Sequence, residues 1–207
     1  MTLNELSIKF DIMYNNISST QAPGLTEYEK SVFLTQAQEA IILELYKGVT
    51  GDSFETTEEV TRYLNFLVKT KTANLPKSAN HFINNILEYK LSTSEIEDLW
   101  FITYQSGTID YNNLSRDVLV VPAKQDSLFK ELNNPFKGPN QNKVLSLSED
   151  NNITLYSKYP MNTYYIKYIK RPSSINLEGE DVLELPECLH NQVLIRAVQL
   201  AKAVWQS

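Results

Sequence analysis

The 207 residues are enough to bury the core of one domain, or of one domain with an extension. A hydrophobic fraction of 42% and a charged fraction of 21% are ordinary for a globular protein and exclude a chain that is disordered throughout. The net charge of −6 argues against tight DNA binding, since proteins that neutralise a phosphate backbone usually carry an excess of lysine and arginine.

Three capping boxes predict three helices in the first third of the chain. In each box a threonine is followed three residues later by a glutamate, and the pairs are Thr2 with Glu5, Thr26 with Glu29, and Thr56 with Glu59. The first helix stops before residue 18, the second ends at Gly48, and the third carries apolar residues as far as Val68.

After Thr72, β-branched and aromatic residues replace the helical pattern and predict five strands. They cover residues 100–106, 118–121, 144–147, 153–156 and 163–170. A short helix at residues 125–132 interrupts them and is followed by the break at Pro135 and a loop over 136–140. The order in which the strands pair is not encoded in these patterns.

The last segment, residues 186–205, predicts a helix with more apolar surface than an ordinary surface helix carries. Pro186 and Glu187 suit its first turn. One apolar stripe holds Val193, Ala197, Leu200, Ala201 and Val204, and neighbouring faces hold Leu194, Ile195, Val198 and Trp205. Either this is the central helix of a single domain, or one face meets the parent domain and the other meets a neighbouring subunit.

These elements predict an α+β chain with an N-terminal helical bundle, a small antiparallel β-sheet and a long apolar C-terminal helix. We expect a helical region over residues 1–72 and a mainly β region over 73–175 with the short helix near 125–132. The C-terminal helix, within residues 176–207, is expected to pack on the helical region and on neighbours. All three parts are expected to form one integrated domain.

The sequence shows no pattern for catalysis, a metal or a cofactor. His81 and His190 have no second ligand at a chelating spacing, and there is neither a nucleophile elbow nor a glycine-rich phosphate loop. The carboxylates Glu95, Glu97 and Asp98 are typical of a solvated helix start. The single cysteine, Cys188, is expected to be a small core residue and forbids an intramolecular disulfide. We therefore predict no enzyme, no metal site and no cofactor.

No secretory signal or membrane span is evident. The opening residues lack a basic region followed by an apolar one, and no apolar run approaches the roughly 18 residues that a membrane span needs. We expect a protein that works in an aqueous, non-exported setting and has no membrane partner.

Residues 156–171 combine tyrosines with lysines and an arginine, so they offer rings for base stacking beside cations for phosphates. A strand that is packed on one face and solvated on the other explains the same pattern, with Tyr164, Ile166 and Tyr168 on one face. We favour this structural interpretation and keep a nucleic-acid-associated module as the alternative.

Three segments resemble a known family. They read QAPGLTEYEKSVFLTQAQEAI (residues 21–41), VVPAKQDSLFKELNNPFKGPN (120–140), and YIKYIKRPSSINL (165–177) leading into ELPECLHNQVLIRAVQLAKA (184–203). In this order and spacing they are similar to the head-tail connector (adaptor or ring) proteins of crAss-like tailed bacteriophages. The resemblance implies an adaptor-like fold and a structural protein of the virion neck.

The resemblance also implies partners. These are the portal protein, other neck and tail ring proteins, and further copies of the chain in a ring of about 12 subunits of the kind that closes by rotation. Such a ring, attached below the portal and assembled in the bacterial host cytoplasm, joins capsid to tail and extends a channel through which DNA passes without sequence-specific binding. We expect partner or subunit contacts at His190, Leu194, Ile195, Val198, Ala201, Trp205, Tyr165, Lys167, Arg171, Phe136 and Lys137.

Overall fold

The computed structural model of the chain describes residues 1–17, 24–47, 62–76, 80–81, 85–96, 98–149, 151–179 and 183–206. They form two compact units. The helical unit combines Met1–Leu67 with Arg171–Ser207, and the sheet unit is Val68–Lys170. The predicted box at Thr56 and Glu59 and the helix end at Gly48 lie outside the described residues.

The helices whose bounds lie within the described residues are α1 (Leu3–Ile17), α2 (Glu27–Lys47), α3 (Leu128–Leu132) and α4 (Glu187–Gln206). Residues 62–64, in the region of the predicted third helix, are also helical. The strands are β1 (Val68–Asn74), β2 (Asn80–His81), β3 (Leu87–Ser92), β4 (Leu99–Tyr111), β5 (Leu114–Pro122), β6 (Lys143–Glu149), β7 (Asn152–Ser157) and β8 (Met161–Lys170). One-turn 3-10 helices precede β1 and follow β3.

Helices α1 and α2 begin at the first two capping boxes. The backbone N–H of Thr2 donates to Glu5 Oε2 at 3.1 Å, and the N–H of Glu5 donates back to Thr2 Oγ1 at 3.3 Å. Thr26 and Glu29 exchange the equivalent pair at 2.8 and 3.3 Å. Each box satisfies two N–H groups that a helix start otherwise leaves without partners.

The core of the helical unit forms where α4 packs against α1 and α2. Helix α1 contributes Leu6, Phe10 and Tyr14, which recur every four residues and are at most 3% exposed. Helix α2 contributes Leu34, Ala37, Ile41 and Ile42. A chain segment before α4 closes the unit, because Gln38 Nε2 donates to the carbonyl of Ser173 at 3.2 Å.

The sheet unit is one eight-stranded sheet in the order β1-β8-β4-β5-β6-β7-β3-β2. Every neighbouring pair is antiparallel except β5 with β6, which run parallel and are joined by the connection that contains α3. Strands β6 and β7 are buried on both faces. One face belongs to the main core around Tyr164 and Ile166, and Leu132 of α3 covers the other, which holds Leu145, Leu147 and Tyr156.

The predicted fold class is wrong. The sheet is large and mixed instead of small and antiparallel, and the chain is mixed α/β. The N-terminal helices do not form a bundle of their own, since both pack against the C-terminal helix. Val68, which was expected at the end of a third helix, begins edge strand β1 instead. Among the described helices, none is long and apolar enough to cross a membrane.

Candidate subunit-interface surfaces

Helix α4 has one buried face and one exposed face. The buried residues are Leu189, His190, Val193, Leu194, Ala197, Val198 and Ala201. They come in adjacent pairs one turn apart, so they form a single wide stripe. The exposed face keeps only two large apolar side chains among the described residues, Ile195 at 45% and Val204 at 65%. The helix is therefore amphipathic, and the surplus apolar surface expected from its sequence is largely covered by its own chain.

Most of the contact residues expected on α4 are buried. His190, Leu194, Val198 and Ala201 are 2–4% exposed, so the helical unit covers them without help from a neighbouring subunit. Ile195 is half exposed and is available to a partner. The side chain of Trp205 lies outside the described residues.

His190 holds the chain that leads into α4. Its Nε2 donates to the carbonyl of Leu185 at 2.8 Å. Its Nδ1 is buried and has no hydrogen-bond partner in the part of the chain that the structure describes. The imidazole therefore acts as a buried anchor for the first turn of the helix.

The tyrosines of residues 156–171 are mostly core residues. Tyr156, Tyr164 and Tyr168 are at most 5% exposed, so their rings are not available for base stacking. The Tyr164 hydroxyl donates to Gln105 Oε1 at 2.8 Å, and burial raises the pKa of Tyr164 far above its ordinary value. Burial, followed by the negative charges of Glu88 and Glu149, raises the pKa of Tyr156 to about 12. This arrangement supports the structural interpretation of the segment over the nucleic-acid alternative.

The opposite face of β8 is open to solvent in the middle of the strand. Lys167 is exposed and Tyr165 is half-buried. Tyr104 of the neighbouring strand is 48% exposed and meets the Tyr165 ring edge-on, with 6.1 Å between the ring centroids. Just beyond β8, in the helical unit, Arg171 Nε donates to Glu39 Oε1 at 2.9 Å. Two half-exposed aromatic rings beside a lysine are suited to a wet, partly apolar contact.

The tight turn that displays Phe136 is the most prominent apolar feature of the sheet unit. Phe136 is 90% exposed, and Phe129 of α3, across a shallow recess, is 64% exposed. Asn134 Oδ1 accepts from the backbone N–H of Phe136 at 2.9 Å and from that of Lys137 at 3.2 Å. The N–H of Gly138 donates to the Asn134 carbonyl at 2.7 Å. We call residues 133–138 the Phe136 turn.

The helical unit carries a preformed groove between α2 and the segment that follows Arg171. Its volume is about 480 Å³, and it is lined by Tyr28, Ser31, Val32, Thr35, Gln36, Ser174, Ile175, Asn176 and Glu178. The backbone N–H of Ile175 donates to Thr35 Oγ1 and that of Leu177 to Ser31 Oγ, each at 3.0 Å. Tyr28 is 73% exposed at its edge. We call this the α2 groove.

Lys30 is a buried cation that links α1 to α2. It is 3% exposed, and its Nζ donates to Asp11 Oδ2 at 2.6 Å, to Glu27 Oε1 at 3.0 Å and to Ser7 Oγ at 3.2 Å. Ser7 Oγ in turn donates to Glu27 Oε1 at 2.9 Å. Every proton of the ammonium group has an acceptor, so the cluster is a structural ion pair with no free donor to bind a ligand.

Within the described ranges, no group of three or more potential metal ligands comes together. Asp98 is exposed, whereas the side chains of His81, Glu95 and Glu97 lie outside the described residues. Cys188 is exposed, which corrects the expectation of a core residue. The features that stand out are surfaces suited to contact with other proteins.

A family model described as phage tail ring protein 3/4 matches the chain over residues 1–207. The chain belongs to this family. Among curated proteins, this ring protein is 35% identical to "Ring protein 3" of Bacteroides phage crAss001, over 97% of this chain and 95% of that protein. It is 31% identical to "Ring protein 4/5" of the same phage, over 100% of this chain and 94% of that protein. The predicted membership of a crAss-like phage ring family is confirmed, and the ring protein is a structural component of the virion.

Sequence reasoning missed the α2 groove. The signal was present, because Tyr28 and Val32 lie four residues apart on α2, away from the stripe formed by Leu34, Ala37 and Ile41. Two apolar residues on the otherwise polar face of a helix indicate a second contact surface.

Proposed function

We propose that the chain is a non-enzymatic subunit of a closed ring in the neck of the virion, between the portal and the tail. The observation that carries the proposal is the end-to-end match to the phage tail ring protein 3/4 family. The exposed apolar residues support it. Large side chains that are more than 60% exposed occur in both units: Tyr28, Phe66 and Val204 in the helical unit, and Leu114, Phe129 and Phe136 in the sheet unit.

Those exposed residues suit a ring subunit because a ring closes through two different patches of the same subunit. An exposed apolar residue on each of two patches supplies both halves of such a contact. A monomeric protein rarely leaves several such residues uncovered in clusters, and larger exposed apolar surfaces mark protein–protein contacts. The proposed contact residues are the members of the predicted set that are exposed or half-buried: Ile195, Tyr165, Lys167, Arg171, Phe136 and Lys137.

The proposal includes the finer points that the resemblance implies. The ring has about 12 copies, is assembled in the host cytoplasm on the portal side of the neck, and surrounds a channel for DNA. The net charge of −6 supports a conduit, since a wall that repels phosphates lets DNA slide without binding it. A channel lining rich in lysine and arginine would contradict this last point.

Electron microscopy of the assembled particle tests the proposal. The purified chain is mixed with the portal protein and, separately, with the other ring proteins of the phage, and the products are imaged and weighed by native mass spectrometry. We expect closed rings that stack on one of these partners. A chain that stays monomeric with every partner, or that is absent from purified virions, would refute the proposed function.

A further inference from the structure

We propose that the Phe136 turn of one subunit inserts into the α2 groove of the next copy in the ring. This contact rests on the proposed function and adds the two patches that join neighbouring subunits. The occupant of the groove is therefore a second copy of this chain. The geometry of the turn, the shape of the groove and the charges beside each support this pairing.

The Phe136 turn is built to project an aromatic ring. Two backbone N–H groups are held by Asn134 Oδ1, and the chain folds so tightly behind the ring that a Cβ at Gly138 would lie 2.8 Å from the Asn134 carbonyl oxygen. The Lys143 ammonium group also donates to the Lys137 carbonyl. A backbone fixed in this way loses little further conformational freedom when the exposed Phe136 ring is bound. Aromatic residues are enriched among binding hot spots.

The α2 groove has the size and lining to receive that ring. A cavity of about 150 Å³ holds benzene, so the groove of about 480 Å³ has room for a phenyl ring and the stem of an adjacent lysine. Val32 and Ile175 provide apolar wall, and Tyr28 at the edge provides a partner for edge-on ring packing. Because hydrogen bonds to Thr35 and Ser31 already fix the wall, the groove needs no rearrangement to open.

The charges around the two features are opposite. Residues 124–143, which contain the turn, carry four lysines against two carboxylates, although the whole chain is acidic. Residues 171–179, which contain one wall of the groove, carry Glu178, and the one cation there, Arg171, already donates to Glu39. The exposed Lys130 and Lys137 flank the turn, and the exposed Glu178 lines the groove. Opposite charges on two patches of one chain favour head-to-tail association of identical copies over like-to-like pairing.

Cysteine cross-linking tests the contact directly. In a Cys188→Ser background, which removes the exposed native thiol, one sample carries Lys137→Cys and another carries Glu178→Cys. A short bismaleimide is expected to give a covalent dimer only when the two are mixed, and a ladder of oligomers when both changes are in one chain. The matched control combines Glu178→Cys with Asp117→Cys, an exposed residue of β5, and should give neither product.

Truncation of the Phe136 side chain measures how much its phenyl group contributes to assembly. Phe136→Ala is expected to raise the concentration needed for half-maximal assembly about 30-fold, as for a hot-spot aromatic. Ile8→Ala, an apolar truncation at a side chain of α1 that is 52% exposed, should change it less than about threefold. Lys137→Glu and Glu178→Lys should each weaken assembly, and the double variant should recover part of the loss. Circular dichroism should show all variants folded, because the substituted side chains are exposed.

A mixture that gives no covalent dimer, or a Phe136→Ala variant that assembles like the unchanged chain, overturns the inference. Loss of binding to another ring protein with normal self-assembly also overturns it, because the occupant of the groove is then a different chain. Electron microscopy shows separately whether the unchanged protein forms rings. If it forms rings but the cysteine variants give no cross-link, the proposed function stands and only the contact between the Phe136 turn and the α2 groove is rejected.

Discussion

Replacing Lys30 with methionine is expected to destabilise the chain by breaking the ion cluster that links α1 to α2. Loss of one partner of a fully buried ion pair costs about 3–5 kcal/mol, because the other charge is left buried and alone. Here the Asp11 and Glu27 side chains are 46% and 42% exposed, so water can solvate both carboxylates after the change. Methionine keeps an unbranched stem and a high helix propensity. We therefore expect the free energy of unfolding to fall by about 1–2 kcal/mol, close to the contribution of a charged hydrogen bond.

The difference in the free energy of unfolding between Lys30→Met and the unchanged chain depends on pH, because two pKa values are shifted. Burial raises the pKa of Glu27, but hydrogen bonds from Lys30 and Ser7 outweigh it, so the pKa lies below its ordinary value. Burial lowers the pKa of Lys30, but the hydrogen bonds that its ammonium group donates to Asp11 and Glu27 outweigh this effect, so the pKa lies above its ordinary value. The Glu27 contribution is complete above its unfolded pKa of about 4.3 and is lost as the pH falls through the folded value. The Lys30 contribution is complete below about pH 10.4 and is lost as the pH rises through the folded value.

Urea unfolding followed by far-UV circular dichroism measures the effect. Lys30→Met and the unchanged chain are compared at pH 7 and at pH 3.5, and Lys9→Met, the same change at an exposed position of α1, is the control. The midpoint for Lys30→Met should fall at pH 7, and the difference from the unchanged chain should shrink at pH 3.5. Equal midpoints at pH 7, or a difference that does not change with pH, would refute the argument that the cluster stabilises the fold.

Two further predictions concern buried residues. Leu194→Asp should unfold the helical unit, because it places an unpaired charge at a site that is 2% exposed. The control Ile195→Asp, at a side chain that is 45% exposed, should keep the far-UV spectrum of the unchanged chain. A Leu194→Asp variant that stays folded would show that α4 is not part of the core. Tyr164→Phe should lower the free energy of unfolding by about 1–2 kcal/mol in urea titrations, because Gln105 Oε1 loses its buried donor. Since the pKa of Tyr164 is raised, its phenol should ionise only after the chain unfolds at alkaline pH. A difference between the unchanged chain and Tyr164→Phe in absorbance at 295 nm before unfolding would contradict its burial.

Local chemistry made the helix starts predictable. The boxes at Thr2 and Thr26 form within four residues of sequence, so no tertiary information is needed to recognise them. The wide buried stripe of α4 was misread for a related reason. Adjacent pairs such as Val193 with Leu194 and Ala197 with Val198 were divided between two stripes in the sequence analysis, but they point to one side of the helix.

The sheet was harder to predict because its size depends on contacts between distant residues. Strand β1 reads VKTKTAN and shows no apolar alternation, so only its pairing with β8 identifies it as a strand. The parallel pairing of β5 with β6 likewise depends on a crossover connection and has no local signature. The Phe136 turn was recognised as a candidate contact, whereas the α2 groove depends on two segments more than 130 residues apart, as in the bond between Ile175 and Thr35.

The composition of β1 has a consequence for how copies of this chain can associate. This strand lies at one end of the sheet and carries Lys69 and Lys71, while the strand at the other end has two residues within the described part of the chain. A long, uncharged edge would let identical sheets join edge to edge without limit, and lysines or very short strands prevent this. The lysines of β1 thereby protect copies of this chain against edge-to-edge growth into fibres. Copies of the chain that do not pair through their strand edges associate through side-chain contacts. Such contacts allow an assembly to close at a fixed number of copies.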